Sequence, residues 1–322
     1  GAGAEDESGD AVTGAGDLNG DGIDDLAIAA PGSAFTSVVF GRDTATEGDF
    51  PAGIELGPVF LDGDNGFRLE GAGSTAVSAA GDVNSDGIAD LLIGSSEADP
   101  NGEDSGESYL VFGRDTATAG NFPAVFALAD LDGSNGFSLR GARAEDFSGT
   151  AVSGAGDLNH DGVADVVIGA FGADANGDRS GVSYVVFGRN TAADGGFPAA
   201  IELSALDGSD GFALNGVSAE DFSGTAVSDA GDLNGDGIDD LIIGSPGADP
   251  NGDRCGASQV VFGRDTATDG DFPATLELSA LDGSNGFTLN GEGVGIRERS
   301  GFSVSGTDDI NDDGIRDLVI GA

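Results

Sequence analysis

The apolar residues of this chain come in short clusters separated by runs of Gly, Asp, Asn and Ser. An alternating stretch such as TAVSGAG at 150–156 leads into a polar loop. A compact apolar run follows, reading LAIAA, LLIGS, VVIGA, LIIGS and LVIGA in successive copies. Next comes a Gly/Asn/Asp-rich loop, as in ADPNGEDSG at 98–106, then SYLVFGR at 108–114 or SYVVFGR at 183–189. The copies close on GFRL, GFSL, GFAL or GFTL. Alternation marks a strand with one buried face, and a short apolar run between turn signals marks a strand buried on both. No segment carries a sustained i, i+3, i+4, i+7 stripe. The 59 glycines in 322 residues also oppose long helices, each costing about 1 kcal/mol relative to Ala in a helix interior. The pattern predicts an all-β chain with four short strands per repeat.

The loop between the first and second strands fixes the period. It reads DLNGDGIDD at 17–25, DVNSDGIAD at 82–90, DLNHDGVAD at 157–165, DLNGDGIDD at 232–240 and DINDDGIRD at 309–317, with spacings of 65, 75, 75 and 77 residues. The units run 1–70, 71–140, 141–215 and 216–290, with a partial fifth at 291–322, all parts of one domain. Four-stranded units at this period are the signature of a β-propeller; the coils of a linear β-solenoid are usually much shorter. The second unit has a shortened lead-in, GAGSTAV at 71–77 against GARAEDFSGTAV at 141–152. A long segment joins the third and fourth strands, DTATDGDFPATLELSALDGSNGF at 265–287, with three relatives upstream. Its Phe and Leu residues are expected to pack over the blade face, with Asp-Gly as a tight turn.

The nine-residue loop carries the strongest chemistry. Its positions 1, 3, 5 and 9 are oxygen donors, and position 7 offers a backbone carbonyl. The first copy supplies Asp17, Asn19, Asp21, Ile23 and Asp25, and the second Asp82, Asn84, Asp86, Ile88 and Asp90. The third supplies Asp157, Asn159, Asp161, Val163 and Asp165, and the fourth Asp232, Asn234, Asp236, Ile238 and Asp240. The fifth supplies Asp309, Asn311, Asp313, Ile315 and Asp317. About six oxygens, three from carboxylates, suit a hard cation that tolerates flexible geometry, which favours Ca²⁺ over Mg²⁺. One calcium per loop is expected. An EF-hand would need Glu at position 12 between two helices. Here that position is Ile28, Ile93, Ile168, Ile243 or Ile320, each in an apolar strand.

Composition narrows the function further. Asp and Glu number 58 against 12 basic residues, all Arg, for a net charge of −46. That sign repels nucleic acid and anionic lipid head groups, and no apolar run is long enough to insert in a membrane. An acidic, Lys-free surface suits strong salt; surface solvation in a chain of GC-rich coding is the alternative. Cys255 stands alone, so no disulfide framework arises, and the single His160, in a variable loop position, leaves no zinc site built from several imidazoles. Little acid–base machinery is available. The chain lacks Met even at position 1, so a start inside a longer product, or after processing, is expected.

These units resemble the FG-GAP repeats of integrin α-chain β-propellers, and more closely those of bacterial integrin-like proteins. The resemblance rests on Phe147–Ser148–Gly149 and Phe222–Ser223–Gly224 before the first strand, and on the five DxNxDGxxD loops. A looser GAP element appears as Ala29–Ala30–Pro31, Gly94–Ser95–Ser96, Gly169–Ala170–Phe171 and Gly244–Ser245–Pro246. The FG pair is missing from the second unit. The family implies a seven-bladed ring of which this chain holds about four and a half units, structural calcium, and an extracellular or cell-surface location. The function it implies is a calcium-stabilised adhesion or recognition module without catalysis, whose partner is an extracellular protein or glycan. The alternative is a carbohydrate-binding, lectin-like propeller or the accessory propeller of a secreted hydrolase or lyase.

Overall fold

The computed structural model describes residues 8–71, 73–293 and 298–322; Ala72 of the shortened lead-in lies outside them. The first unit folds as β1 (Val12–Gly16), β2 (Asp25–Ala30), β3 (Phe35–Val39) and β4 (Gly66–Glu70). The second gives β5 (Ala76–Gly81), β6 (Asp90–Ser95), β7 (Glu107–Val111), β8 (Val125–Ala127) and β9 (Gly136–Arg140). The third gives β10 (Ala151–Gly156), β11 (Asp165–Ala170), β12 (Val182–Val186), β13 (Ala200–Glu202) and β14 (Gly211–Asn215). The fourth gives β15 (Ala226–Gly231), β16 (Asp240–Ser245), β17 (Ala257–Val261), β18 (Thr275–Glu277) and β19 (Gly286–Asn290). A two-stranded sheet, β20 (Ser303–Thr307) with β21 (Asp317–Gly321), follows.

Each of the four larger sheets is built on an antiparallel four-stranded propeller blade, β1-β2-β3-β4, β5-β6-β7-β9, β10-β11-β12-β14 and β15-β16-β17-β19. The first strands β1, β5, β10, β15 and β20 lie side by side in that order, which makes them the inner strands of successive blades. The second strands β6, β11 and β16 are buried at every residue, as their unbroken apolar runs require. The core lies between blades: Leu92, Leu110 and Phe137 of the second pack with Val166, Ile168 and Val186 of the third.

The segment between third and fourth strands departs from the expectation. It does not stay on its own blade. The three-residue strands β8, β13 and β18 pair in parallel with β4, β9 and β14, the outer strands of the preceding blade, as in Leu214 opposite Leu276. Its phenylalanine stacks there too: Phe122 on Phe67 at 4.2 Å, Phe197 on Phe137 at 4.4 Å and Phe272 on Phe212 at 4.3 Å between ring centroids. Arg114, Arg189 and Arg264 lay their guanidinium groups over the same three rings. The reason is the outer edge of a four-stranded blade, which presents unpaired N–H and C=O groups. A segment that pairs with that edge and buries an aromatic ring meets both needs. Each unit therefore completes its predecessor.

Candidate metal centres

The first strand of each of the first four units ends in a register shift, at Gly16, Gly81, Gly156 and Gly231, all with positive φ. The shift turns the chain out of the sheet and into the nine-residue loop. Position 6 is left-handed in all five copies, with φ of 86° to 89° at Gly22, Gly87, Gly162, Gly237 and Gly314, which glycine alone adopts without strain. Position 4 is left-handed as well, so Ser85, His160 and Asp312 stand there as short or polar residues that tolerate it.

Within the first loop the Asp17 carboxylate accepts N–H bonds from Gly20, Asp21 and Gly22 at 2.7–3.0 Å. Asn19 Oδ1 accepts from Asp21 N, and Asp21 Oδ1 accepts from Ile23 N. Asp25 reaches back across the hairpin, accepting from Leu18 N at 2.9 Å and Gly41 N at 2.8 Å. The same pair of bonds holds Asp90 (Val83, Gly113), Asp165 (Leu158, Gly188) and Asp240 (Leu233, Gly263). In the fifth copy Asp317 accepts from Ile310 N and from Asn311 Nδ2. Position 9 is thus a structural staple to the end of the third strand in four copies. The glycine of the FGR triplet donates the second bond, and the sequence reading did not single it out.

A second missed contact runs between units. Thr116 donates from both N and Oγ1 to the carbonyl of Asn19, and Thr191 and Thr266 do the same to Asn84 and Asn159. The recurring Thr after Arg-Asp or Arg-Asn was the available signal. These threonines open the one-turn helices Thr116–Ala119, Thr191–Asp194 and Thr266–Asp269. Loops one to three are therefore wedged between their own blade and the next.

The electrostatics are unfavourable as they stand. Burial pushes the Asp25 carboxyl up to about 7 against the two N–H bonds that lower it, with Asp21 and Asp17 adding to the rise. Burial likewise lifts Asp240 to about 7 and drives Asp90 and Asp165 well above the ordinary carboxylate range. Asp309, at the exposed fifth loop, is lowered by backbone N–H bonds from Gly314 and its neighbours. None of the salt bridges among the described residues involves a loop carboxylate. No three acidic, His or Cys side chains among the described residues form a ready-made ligand cluster either. Yet the donor chemistry fits a hard divalent ion. Each carboxylate oxygen has two lone pairs, and the internal bonds leave one free on both oxygens of Asp21 and Asp25 and on Oδ2 of Asp17.

Comparison with known proteins bears on the whole architecture. The family model for the FG-GAP repeat matches residues 8–43, 74–111 and 224–262. The chain carries FG-GAP repeats at these three segments. It is 36% identical over 99 residues to integrin alpha pat-2 of Caenorhabditis elegans, covering 31% of this chain and 7% of that protein. It is 34% identical over 113 residues to integrin alpha-2 of Bos taurus, covering 35% and 9%. A phosphatidylinositol-glycan-specific phospholipase D of Dictyostelium discoideum aligns over 92% of this chain at 26% identity, and the alignment covers 30% of that protein. The chain thus spans less than a third of the length of each of these relatives.

The FG-GAP elements that give the repeat its name sit at the ends of the strands opposite the acidic loops. Phe147 and Phe222 adopt positive φ, 52° and 54°, and the Phe147 ring stacks on Phe171 at 5.3 Å. In the fifth unit Arg299, with φ of 57°, occupies the equivalent place. Cys255 is buried and accepts the Asn251 N–H at 3.4 Å, where Ser105 and Ser180 accept from Asn101 and Asn176. His160 is exposed. Among the described residues no helix is long and apolar enough to cross a membrane.

Proposed function

We propose that this chain is a calcium-stabilised recognition module of extracellular, adhesion-type character, with no chemistry of its own. The observation that carries this reading is the acidic hairpin loop, present in all five units with its first carboxylate accepting the position-6 glycine N–H in each. In each loop the three Asp carboxylates, the Asn side-chain oxygen and the carbonyl of position 7 would hold the ion. Calcium would supply charge neutralisation there and nothing more. Since loops one to three also touch the next unit, the ion would stiffen the junction between blades as well as the hairpin. Similarity to integrin alpha chains supports an extracellular protein or glycan as partner.

Titration calorimetry tests the metal directly: five sites with dissociation constants of about 10⁻⁴–10⁻³ M are expected, the range of extracellular modules. No heat from calcium in that range sinks the reading. A second reading, accessory propeller of a secreted hydrolase, is supported by the alignment with the phospholipase over nearly the whole chain. Turnover of a phosphodiester or ester substrate by this chain would overturn the first reading.

A further inference from the structure

Near-identical units act as controls for one another: what the fold needs recurs, and what one unit does alone calls for another cause. The third unit has such a feature. At the FG-GAP end of its blade, remote from the acidic loops, lies a cavity of 350 Å³ lined by Tyr184 of β12, Asp146, Arg143, Asp174, Ser204 and apolar residues including Leu203. Tyr184 is 6% exposed and Asp146 5%. Asp146 Oδ2 accepts the Arg143 N–H at 2.9 Å. Among the described residues nothing donates to its Oδ1, and the Tyr184 hydroxyl has no hydrogen-bond partner. Both atoms belong to residues that line the cavity and remain open to it, so a hydroxyl-bearing ligand can supply the missing bonds there.

The carboxylate recurs, since Asp221 of the fourth unit likewise accepts only the Ser218 N–H among the described residues, at 2.9 Å on Oδ2. The position of Tyr184, by contrast, is satisfied in its neighbours. Tyr109 donates to Glu107 Oε2 at 2.8 Å, and Gln259 Oε1 accepts from Ser245 Oγ at 2.8 Å. The matching groove of the fourth unit has Ser218 in place of Arg143. The free phenol thus belongs to the third unit alone among these three, with Arg143 beside it. Burial pushes Asp146 up to about 6, with Asp174 adding to the rise and the Arg143 N–H bond and charge opposing it.

We propose that this cavity binds a neutral, hydroxyl-rich ligand, a single sugar ring at the end of a glycan. A sugar hydroxyl can donate to Asp146 Oδ1 while another accepts from Tyr184, and the ring's C–H face can lie on the Leu203 side. Arg143 and Asp174, both exposed at the mouth, offer a donor and an acceptor to outer hydroxyls. An ammonium ligand fits less well: Arg143 would repel it, and Asp174 Oδ1 is already engaged by the Arg179 N–H at 2.7 Å. Two carboxylates exclude an anion. The inference rests on the recognition reading and names the ligand class for it.

The test is ligand-observed NMR and calorimetry on the calcium-saturated chain, with glucose, galactose, mannose and N-acetylglucosamine as probes. At least one should bind. Tyr184→Phe, which keeps the packed ring, should weaken it by about tenfold, the loss of one hydrogen bond. Asp146→Asn should weaken it as well, and Tyr109→Phe should leave it unchanged. Silence from all four sugars, or equal binding by the Tyr184→Phe variant with an unaltered melting curve, overturns the proposal. A Tyr184→Phe variant that fails to fold shifts the decision to a sugar-soaked crystal, where a cavity holding only water overturns it. Calcium binding and chelator-sensitive melting would survive any of these failures, so the two readings fall separately.

Discussion

Consider removal of one ring from the joint between blades. Phe197 is 6% exposed, stacks on Phe137 at 4.4 Å, meets Phe112 at 5.8 Å and lies under the Arg189 guanidinium at 4.5 Å. Phe197→Ala opens a cavity in the core shared by the second and third blades, at a cost of about 3–5 kcal/mol. Phe50 holds the same place in the first unit under Arg42, but among the described residues it stacks on no ring of another blade, and it is 43% exposed. Phe50→Ala should cost at most about 1 kcal/mol. Urea unfolding followed by circular dichroism reads both. At an m-value of ~3 kcal/mol/M the Phe197 variant should lose roughly 1 M or more in midpoint, and the Phe50 variant a third of that or less. Equal shifts would refute the claim that this segment acts on the preceding blade.

Chelation with EDTA should lower the melting temperature sharply, since an ion at ~100 times its dissociation constant adds ~2.7 kcal/mol per site; an unmoved curve in a chain that had bound calcium would assign the ions to ligand contact. In chelator, Asp161→Ala should lose most of its effect while Asp165→Ala still costs about 1–3 kcal/mol, because Leu158 and Gly188 lose a buried acceptor; equal sensitivity to EDTA argues against the staple. Cys255→Ser should be neutral or slightly stabilising by thermal melting, as serine makes this bond in the second and third units. Asp146→Asn should raise stability at pH 7 and leave it unchanged at pH 4. The folded carboxyl titrates near 6 against 3.8, so the native state keeps a proton that the unfolded chain releases, and the cost of charging it is fully present only above about pH 6. A gain that persists at pH 4 would point to some other cause.

The strands and the acidic loops were legible because each rests on local chemistry. Asp at positions 1, 5 and 9 and Gly at position 6 act within nine residues, and the apolar runs of β6, β11 and β16 announce burial on both faces. The crossing of β8, β13 and β18 to the preceding blade was not legible. Three residues are too few to show alternation, and a parallel partner some sixty residues upstream leaves no local mark. Gly113 and Gly188 were passed over for a related reason: they act through backbone N–H groups, which every residue but proline owns. The Tyr184 cavity arises only when its lead-in loop, third strand and later segments meet in space.

The offset by which each unit finishes its predecessor has a consequence in time. The outer strand of a blade waits for its partner until 57 to 62 more residues have been made, from Glu70 to Ala127, Arg140 to Glu202 and Asn215 to Glu277. At ~5–20 residues per second that delay is roughly 3–12 s. Throughout it the growing chain exposes a bare edge, and the short donor segments VFA, AIE and TLE are chemically similar enough to compete for it. Emergence from the ribosome in order presents the correct donor first. A denatured chain returned to buffer offers all three at once, and would sort them only by breaking wrong pairs.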